Sequence, residues 1–367
     1  MNRNKRYTWY YVVVVVLVFY ISFFFLERKE ISDVDILLVV GVDKEVDGYR
    51  ITGLYNKNGG SDESSGGTQL MEGKGVSFYA AYNDMVQKNQ KNVSIAHNSF
   101  YIFSEAAAKG SMKECLDFIG RDQTVKMNAN IYLYQGGTLN SLLKKTIENK
   151  TQLQDVLKGI SAKREDELKK VDNTINYVNE MLEEEGKVIY LPYLVMNQKN
   201  IYVNGYGAIK EDRLVLFLDE QQSLTLDFLR NRVRTYPVYL KNQVNVEITD
   251  SQVRNEVKIS NGNIIFTIHV WLESEIREVT SNDHVFVDYY MNQIRNLQNS
   301  YMANQITDLI QSTKSYKLDV VGASDLLRTT YNNDWETISS DWNDFFSKIS
   351  YQYIIESQTA QSFVVAD

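Results

Sequence analysis

Residues 34–55 read VDILLVVGVDKEVDGYRITGLY, and this stretch determines how the folded part of the chain begins. The apolar run from Val34 to Val42 predicts a buried strand. The pair Asp47-Gly48, placed between two apolar segments, is typical of a tight β-hairpin turn. In the return strand one face carries Tyr49, Ile51, Gly53 and Tyr55. The stretch therefore predicts an antiparallel hairpin that starts a sheet.

Downstream of the hairpin, short strands alternate with helices. The sequence predicts strands at 99–103 and 131–134 and helices at 78–88, 111–119 and 139–147. This order is typical of βαβ units, in which right-handed crossovers join parallel strands. A polar, helical segment follows at 152–185, and we interpret its acidic end as a solvated helix terminus.

The loop at residues 56–67 is rich in Gly and Ser. It lacks the lysine and the following Ser or Thr of a P-loop, so we interpret it as an exposed loop and not as a phosphate site.

The composition changes at Val188, and a third pattern starts near Ile264. Extended segments are predicted at 190–194, 202–209, 213–218, 244–248, 256–259 and 264–271, with a short helix at 224–229. A long helix at 282–312 precedes a helix at 324–331 and closing strands at 351–355 and 363–365. We therefore predict an α+β fold with three domains: an α/β domain at 27–187, a strand-rich domain at 188–262, and an α+β domain with a long helix at 263–367.

Trp335 and Trp342 lie seven residues apart, which is two helical turns. Ile338, Phe345 and Phe346 fall on the same side of that helix. We predict a buried core stripe here; an exposed stripe for docking a partner is the alternative.

The N-terminus carries an uncharged run from Tyr10 to Leu26. A helix of this length reaches roughly 26 Å, close to the hydrocarbon thickness of a bilayer. Arg3, Lys5 and Arg6 precede the run, and this charge bias predicts that residues 1–9 are cytoplasmic. We therefore predict a transmembrane anchor at 10–26, represented by Tyr10, Val12, Leu17, Phe19, Phe23 and Leu26.

Two other interpretations of the apolar run are a buried core helix and a cleaved signal segment. The position at the extreme N-terminus argues against the first. The absence of a small-residue cleavage site before Glu27 argues against the second.

The predicted ectodomain is acidic. Three of the 39 basic residues precede the anchor, so 36 remain against 47 acidic residues, a net charge of −11. This charge disfavours nucleic-acid binding, because neutralising phosphates requires the opposite sign. Cys115 is the only cysteine, which excludes an internal disulfide, and its helical, apolar surroundings predict a buried thiol.

The sequence offers little catalytic chemistry. His97, His269 and His284 are scattered without the spacing of a metal site. His269 alternates with apolar residues in a strand and is predicted to be solvated or hydrogen-bonded. No Gly-x-Ser-x-Gly elbow occurs, and acids such as Glu273 and Glu275 are too common to indicate a glycosidase. We therefore predict no catalytic residue, no metal site, no cofactor and no enzymatic activity.

Four groups of motifs occur in a fixed order along the chain. They are residues 27–31 with 39–44 and 47–49; residues 118–122; residues 191–192 with 205–208 and 213–215; and residues 319–322 with Trp335 and Trp342. This order resembles the Ger(x)C family, the C subunits of bacterial spore germinant receptors. The motif positions, to which we assign structural roles, are Glu30, Asp43, Gly48, Arg121, Asp122, Pro192, Gly205, Gly207, Asp319, Trp335 and Trp342.

The resemblance implies a three-domain α+β ectodomain on the outer face of the spore inner membrane. It also implies partnership with an integral-membrane A subunit and a permease-like B subunit in nutrient sensing. Family members typically carry a lipobox cysteine, but this chain reads Phe24-Phe25-Leu26-Glu27-Arg28 at that place. A diacylglyceryl anchor requires a thiol there, so we expect the helix itself to hold the protein in the membrane.

Three classes of function remain open from the sequence. A receptor subunit is preferred, and the others are an anchored binding protein for a small ligand and a cell-wall hydrolase. Whether the ectodomain itself contacts the nutrient stays open.

Overall fold

The computed structural model describes residues 3–25, 34–56, 67–184, 187–240, 244–260, 263–279, 288–340 and 342–361. The first helix, α1, spans Arg3–Phe25, and its side chains are described at residues 9–20, all of which are exposed. Among the helical residues described in this way, no segment combines the length and the apolar content that crossing a bilayer requires. The transmembrane anchor therefore stays a prediction.

The first sheet contains nine strands in the order β3-β2-β1-β5-β6-β7-β8-β9, with β4 pairing to β1. The strands are β1 Val34–Glu45, β2 Gly48–Asn56, β3 Thr68–Gly75, β4 Asn92–Ser94, β5 Phe100–Ser104, β6 Asn130–Tyr134, β7 Val188–Asn197, β8 Asn200–Lys210 and β9 Arg213–Leu218. The central strands β1, β5, β6 and β7 are parallel, and the outer pairs are antiparallel hairpins. The predicted hairpin and the predicted parallel strands are confirmed.

Helices cover both faces of the first sheet. They are α2 Phe78–Lys88, α3 Glu105–Lys109, α4 Met112–Arg121, α5 Leu139–Glu148, α6 Leu153–Glu167 and α7 Ile175–Glu183. Helices α2, α3, α4 and α7 contribute to one core, and α5 and α6 contribute to a second core on other strand residues. Ser or Thr side chains accept hydrogen bonds at the N-termini of five of these helices, which explains why the helices begin where they do. Cys115 lies in the first core, and its predicted burial is confirmed.

The second sheet has four strands in the order β10-β11-β12-β13. They are β10 Tyr236–Leu240, β11 Val244–Ser260, β12 Asn263–Val279 and β13 Ser350–Gln361, with β13 parallel to β12. Helices α8 Glu220–Leu229, α9 Asp288–Lys314, α10 Ala323–Thr330, α11 Asn332–Ser340 and α12 Trp342–Lys348 accompany this sheet. Inward side chains of β11 and β12 alternate with exposed ones, so the helices pack on one face.

The two sheets share a core. Tyr190, Tyr206 and Leu218 belong to the first sheet, yet they pack in the cluster formed by the second sheet and its helices. The first sheet also runs across residue 188, where the sequence predicts a domain boundary. The strands of the predicted domain at 188–262 therefore divide between the two sheets, and the three-domain division stays a prediction.

Several predicted elements differ from the structure. The segments 244–248 and 256–259 are parts of one long strand, β11, because its hydrogen bonds to β12 continue past an irregularity between Ile248 and Asp250. Strands β3, β4 and β10 and helix α3 were not predicted. The predicted loop at 56–67, the start of the long helix at 282–287 and the strand at 363–365 lie wholly or mainly outside the described residues.

Candidate functional site

Two of the motif carboxylates cap helices. Asp43 is 4% exposed at the end of β1, and its side chain accepts hydrogen bonds from the backbone N–H groups of Leu139 (2.8 Å) and Asn140 (3.1 Å) at the start of α5. Asp319 accepts from the N–H groups of Ala323 and Ser324, both at 2.8 Å, at the start of α10. A carboxylate at a helix N-terminus satisfies free donors and complements the helix dipole. These geometries fit the structural roles assigned to both residues.

Three motif glycines lie where a side chain would collide. Gly48 has φ +150° in the first hairpin, and a Cβ there would lie 2.2 Å from the Gly75 carbonyl oxygen. Gly205 has φ +130°, and a Cβ would lie 2.2 Å from the Leu218 carbonyl oxygen. At Gly207 a Cβ would lie 2.3 Å from the side chain of Leu133. Gly48 and Gly205 therefore require glycine, whereas a side chain at position 207 would force Leu133 to shift.

Pro192 lies in β7, a strand with neighbours on both sides. The register of β7 with β8 shifts between Pro192 and Leu194, which is a place where a strand tolerates proline. The predicted structural role of this residue accords with that irregularity.

Arg121 and Asp122 end α4 at the surface. The Arg121 guanidinium donates twice to Asp117, at 2.9 Å each, and Asp122 accepts from Thr124. Both contacts join residues that are close in the sequence, so they fix the end of α4.

Trp335 and Trp342 are half-buried and lie on α11 and α12, whose described residues flank position 341. Their ring centroids are 5.6 Å apart, and Trp342 also contacts Phe346, which is 3% exposed. Both indoles pack on the margin of the C-terminal core. Residue 341, between α11 and α12, lies outside the described residues, so the single helix stays a prediction. The fully buried part of the predicted stripe is Ile338 and Phe346, with the tryptophans at its edge.

The predicted anchor residues whose side chains are described are exposed. Tyr10, Val12, Leu17 and Phe19 are 67%, 55%, 55% and 75% exposed. The side chain of Phe23 and residues Leu26 and Glu30 lie outside what the structure describes.

The motif residues are thus dispersed over the fold and form no constellation around a reacting atom. Among the described residues, no group of three or more His, Cys, Asp or Glu side chains could hold a metal ion. Burial raises the pKa of the Cys115 thiol to about 12, so this thiol is protonated at neutral pH and poorly reactive. His269 stacks on Trp271, and its Nε2 lies 3.7 Å from a Glu256 oxygen without a hydrogen-bond partner among the described residues.

Buried charges gather instead where the two sheets meet. Tyr206, on β8, donates its hydroxyl to Asp227 of α8 at 2.6 Å and accepts a hydrogen bond from Arg164 of α6 at 2.8 Å. Asp227 is 5% exposed, and burial raises the pKa of its carboxyl. Arg164, Tyr206 and Asp227 thus form a buried polar chain that links α6, on the first sheet, to α8, on the second. Burying such polar groups costs free energy of folding unless each of them is paired.

A second set of contacts lies beside this chain. Arg232 donates to Asp172 at 2.6 Å, and the backbone of Leu168 bridges to Val233. The segment after α6 is thereby fixed to the segment after α8.

A cleft of about 400 Å³ opens next to these contacts. Its walls come from α7 and the start of β7 on one side and from residues 229–232 and 319–325 on the other. The Arg230 guanidinium carbon lies 4.4 Å from the centroid of the Tyr190 ring. Lys187 crosses the cleft to Asp325 with an N–O distance of 2.7 Å. We call this feature the junction cleft and take it as the candidate site, because it lies where the two sheets meet.

Sequence reasoning missed the junction cleft. Arg230 and Lys187 sit in ordinary polar stretches, and their neighbours in space come from segments up to 138 residues away. The available signals were the motif at 319–322, whose residues line the cleft, and Tyr206, which lies between the two motif glycines.

Comparisons with known proteins agree along almost the whole chain. The family described as "Spore germination protein N-terminal domain" matches residues 27–196, and "Spore germination B3/ GerAC like, C-terminal" matches residues 204–362. Spore germination protein KC of Bacillus subtilis (strain 168) is 18% identical over 373 residues, covering 86% of each chain. The crystal structure of the GerBC protein aligns with a TM-score of 0.57 at 18% identity, covering 87% of this chain and 96% of that chain. The last comparison shows a shared mixed α+β fold.

Proposed function

This chain belongs to the Ger(x)C family of spore germination proteins, and from that premise we propose that it is a non-enzymatic, membrane-anchored C subunit of a spore nutrient germinant receptor, needed for nutrient-triggered germination. The observation that carries the proposal is the ordered match of both family domains, which together span nearly all residues beyond α1. The curated relative, a spore germination protein, is covered over 86% of its own length and supports the same role.

The absence of enzymatic activity is supported by what the motif residues do. Asp43 and Asp319 each accept two backbone N–H bonds at a helix start, so these carboxylates are engaged in capping. The glycines serve close packing, and the one thiol is buried.

Anchoring by α1 is supported by its uncharged sequence and by the exposure of its apolar side chains. The uncharged run continues to Leu26, beyond Tyr20, the last α1 side chain that the structure describes. Five consecutive valines, Val12 to Val16, are exposed, and a bilayer would remove this apolar surface from water. We place the protein in the spore inner membrane by a single pass, with the ectodomain on the outer face.

The proposed partners are the integral-membrane A and B subunits of the receptor. The test is affinity purification of the tagged full-length chain from detergent-solubilised spore membranes, followed by mass spectrometry. We expect both subunits to co-purify, and a deletion of the gene to abolish germination with the cognate nutrient. Recovery of neither subunit together with normal germination of the deletion strain would contradict the proposal.

The mode of anchoring has its own test. The double variant Val13→Asp/Val15→Asp should leave the membrane fraction, because each charge costs roughly 2.5–3.5 kcal/mol near the bilayer centre. The matched control Val13→Leu/Val15→Leu should stay in the membrane, and so should the wild-type chain in cells without the diacylglyceryl transferase. Fatty acid covalently bound to the chain would overturn this mode of anchoring.

A further inference from the structure

Among the described residues that line the junction cleft, one cation has no ion pair. Lys187 pairs with Asp325, and Arg232 pairs with Asp172. Asp319 uses both oxygens to cap α10. Arg230, by contrast, has no carboxylate within ion-pair distance and no side-chain hydrogen bond among the residues that the structure describes; its side chain lies over the Tyr190 ring and attracts the buried Asp227 carboxyl only at longer range.

The surroundings of Arg230 hold the guanidinium in place without satisfying it. Arg230 is half-buried, and Tyr190 beneath it is 5% exposed. A cation over an aromatic face is attracted to the ring, but the ring accepts no N–H hydrogen bond of ordinary strength. The guanidinium carries five N–H donors in a planar fork, which matches a carboxylate in a two-point contact.

The rest of the cleft limits the kind of anion. Asp319 and Asp325 line the same space, so a doubly charged anion would meet about twice the repulsion of a singly charged one. Tyr177, Val188 and Leu229 supply apolar wall. The volume of about 400 Å³ lies at the lower end of the range found for small-molecule sites, roughly 300–1,000 Å³.

We propose that the junction cleft binds a small organic monocarboxylate, whose carboxylate pairs with Arg230 and whose apolar body lies against the wall at Leu229. The cleft lies between elements of the first sheet, at 177–181 and 187–188, and the segments at 229–232 and 319–325, so an anion in it lies between these two parts of the molecule. This site is independent of the proposed receptor role and is tested without the A and B subunits.

The experiment is calorimetric titration of the purified full-length chain in neutral detergent at low chloride. The probes are benzoate, benzamide and inorganic phosphate. Benzoate should bind saturably with a dissociation constant on the order of 1 mM, as expected for one charge-assisted contact plus a small apolar surface. Benzamide, which has the same shape without the charge, and phosphate should each bind at least about tenfold more weakly.

Substitutions of Arg230 and of a control arginine test whether benzoate binds in the junction cleft. Arg230→Gln should weaken benzoate binding by about tenfold or more, and Arg230→Lys should weaken it less, because lysine keeps the charge and loses the fork. Arg254→Gln, the same change at an exposed arginine of β11, should leave binding unchanged. Circular dichroism establishes that each variant is folded, and the benzoate-to-benzamide ratio of the wild-type chain tests the proposal even if Arg230→Gln does not fold.

Three results would overturn the assignment: no saturable benzoate binding up to about 100 mM, a limit at which binding is negligible; equal affinity in the Arg230→Gln and Arg254→Gln variants; or phosphate binding more tightly than benzoate.

Discussion

The two sheets bury their strands in different ways. In β5 of the first sheet all five residues are buried, because helices cover both faces. In β12 of the second sheet buried residues alternate with more exposed ones along most of its 17 positions, because helices cover one face. Parallel strands are generally buried on both sides, and antiparallel strands commonly keep one side in water. The difference predicts that substitutions on either side of β5 are destabilising, whereas substitutions on the outer side of β12 are tolerated.

The strongest test of this comparison uses neighbouring residues in each sheet. Ile102→Ala and Phe103→Ala in β5 should both destabilise the protein, by about 2–5 and 3–5 kcal/mol, because both side chains are fully buried on opposite faces. In β12, Ile268→Ala should cost about 2–5 kcal/mol, and Thr267→Ala should cost less than about 1 kcal/mol. Urea unfolding of the full-length chain, followed by circular dichroism, measures the four values.

The comparison fails if Thr267→Ala is as damaging as Ile268→Ala. That result would mean that the outer face of the second sheet is covered in the isolated protein.

The sequence predicts the bounds of strands more closely in the first sheet than in the second, although β3 and β4 were missed. Continuous apolar runs and the Asp47-Gly48 turn are local signals, and the strands that they predict exist within a few residues. β11 was predicted as two pieces because Asp250, Ser251 and Gln252 interrupt its alternation, although the pairing to β12 continues through them. Pairing between strands is a tertiary effect that overrides local propensity.

The roles of single residues were less predictable than the strands. Asp43 was identified as a motif residue, but the helix that it caps starts 96 residues later. The chain of Arg164, Tyr206 and Asp227 was missed for the same reason, since its members lie 42 and 21 residues apart. No local pattern reports such contacts.

Substitutions of the two capping carboxylates, Asp43 and Asp319, provide a second comparison of the two regions. Their expected effects on the free energy of unfolding are intermediate in size. Asp43→Ala should cost about 2–4 kcal/mol, because it leaves two buried N–H groups without an acceptor. Asp319→Ala should cost about 1–2 kcal/mol, since this half-buried cap lies closer to water. The shift in the urea midpoint of each variant is the measurement; equal shifts would remove the distinction between the two regions.

The smallest expected effect on stability concerns the buried polar chain of Arg164, Tyr206 and Asp227, which joins the two regions. Burial raises the pKa of Asp227, so the folded protein holds a proton there at pH values where the unfolded chain has released it. Stability contributed by this group therefore falls as pH rises from the unfolded value, about 3.9, through the higher folded value.

The variant Asp227→Asn mimics the protonated form and keeps an oxygen that accepts from Tyr206. We expect the stability of the wild-type chain minus that of Asp227→Asn to decrease between pH 4 and pH 7, by about 1.4 kcal/mol for each unit by which the folded pKa is raised.

Asp117→Asn provides a control of opposite sign. Arg121 lowers the pKa of Asp117 through its hydrogen bonds, so the contribution of this exposed carboxylate is present above its unfolded pKa and is lost as pH falls. The measurement is the urea midpoint of the wild-type chain, Asp227→Asn and Asp117→Asn at pH 4, 5, 6 and 7. A wild-type advantage over Asp227→Asn that grows with pH would mean that Arg164 stabilises the buried carboxylate by more than burial costs. The chain across the junction would then act as an ion pair that holds the two sheets together, and the regions would be coupled by charge as well as by their shared apolar core.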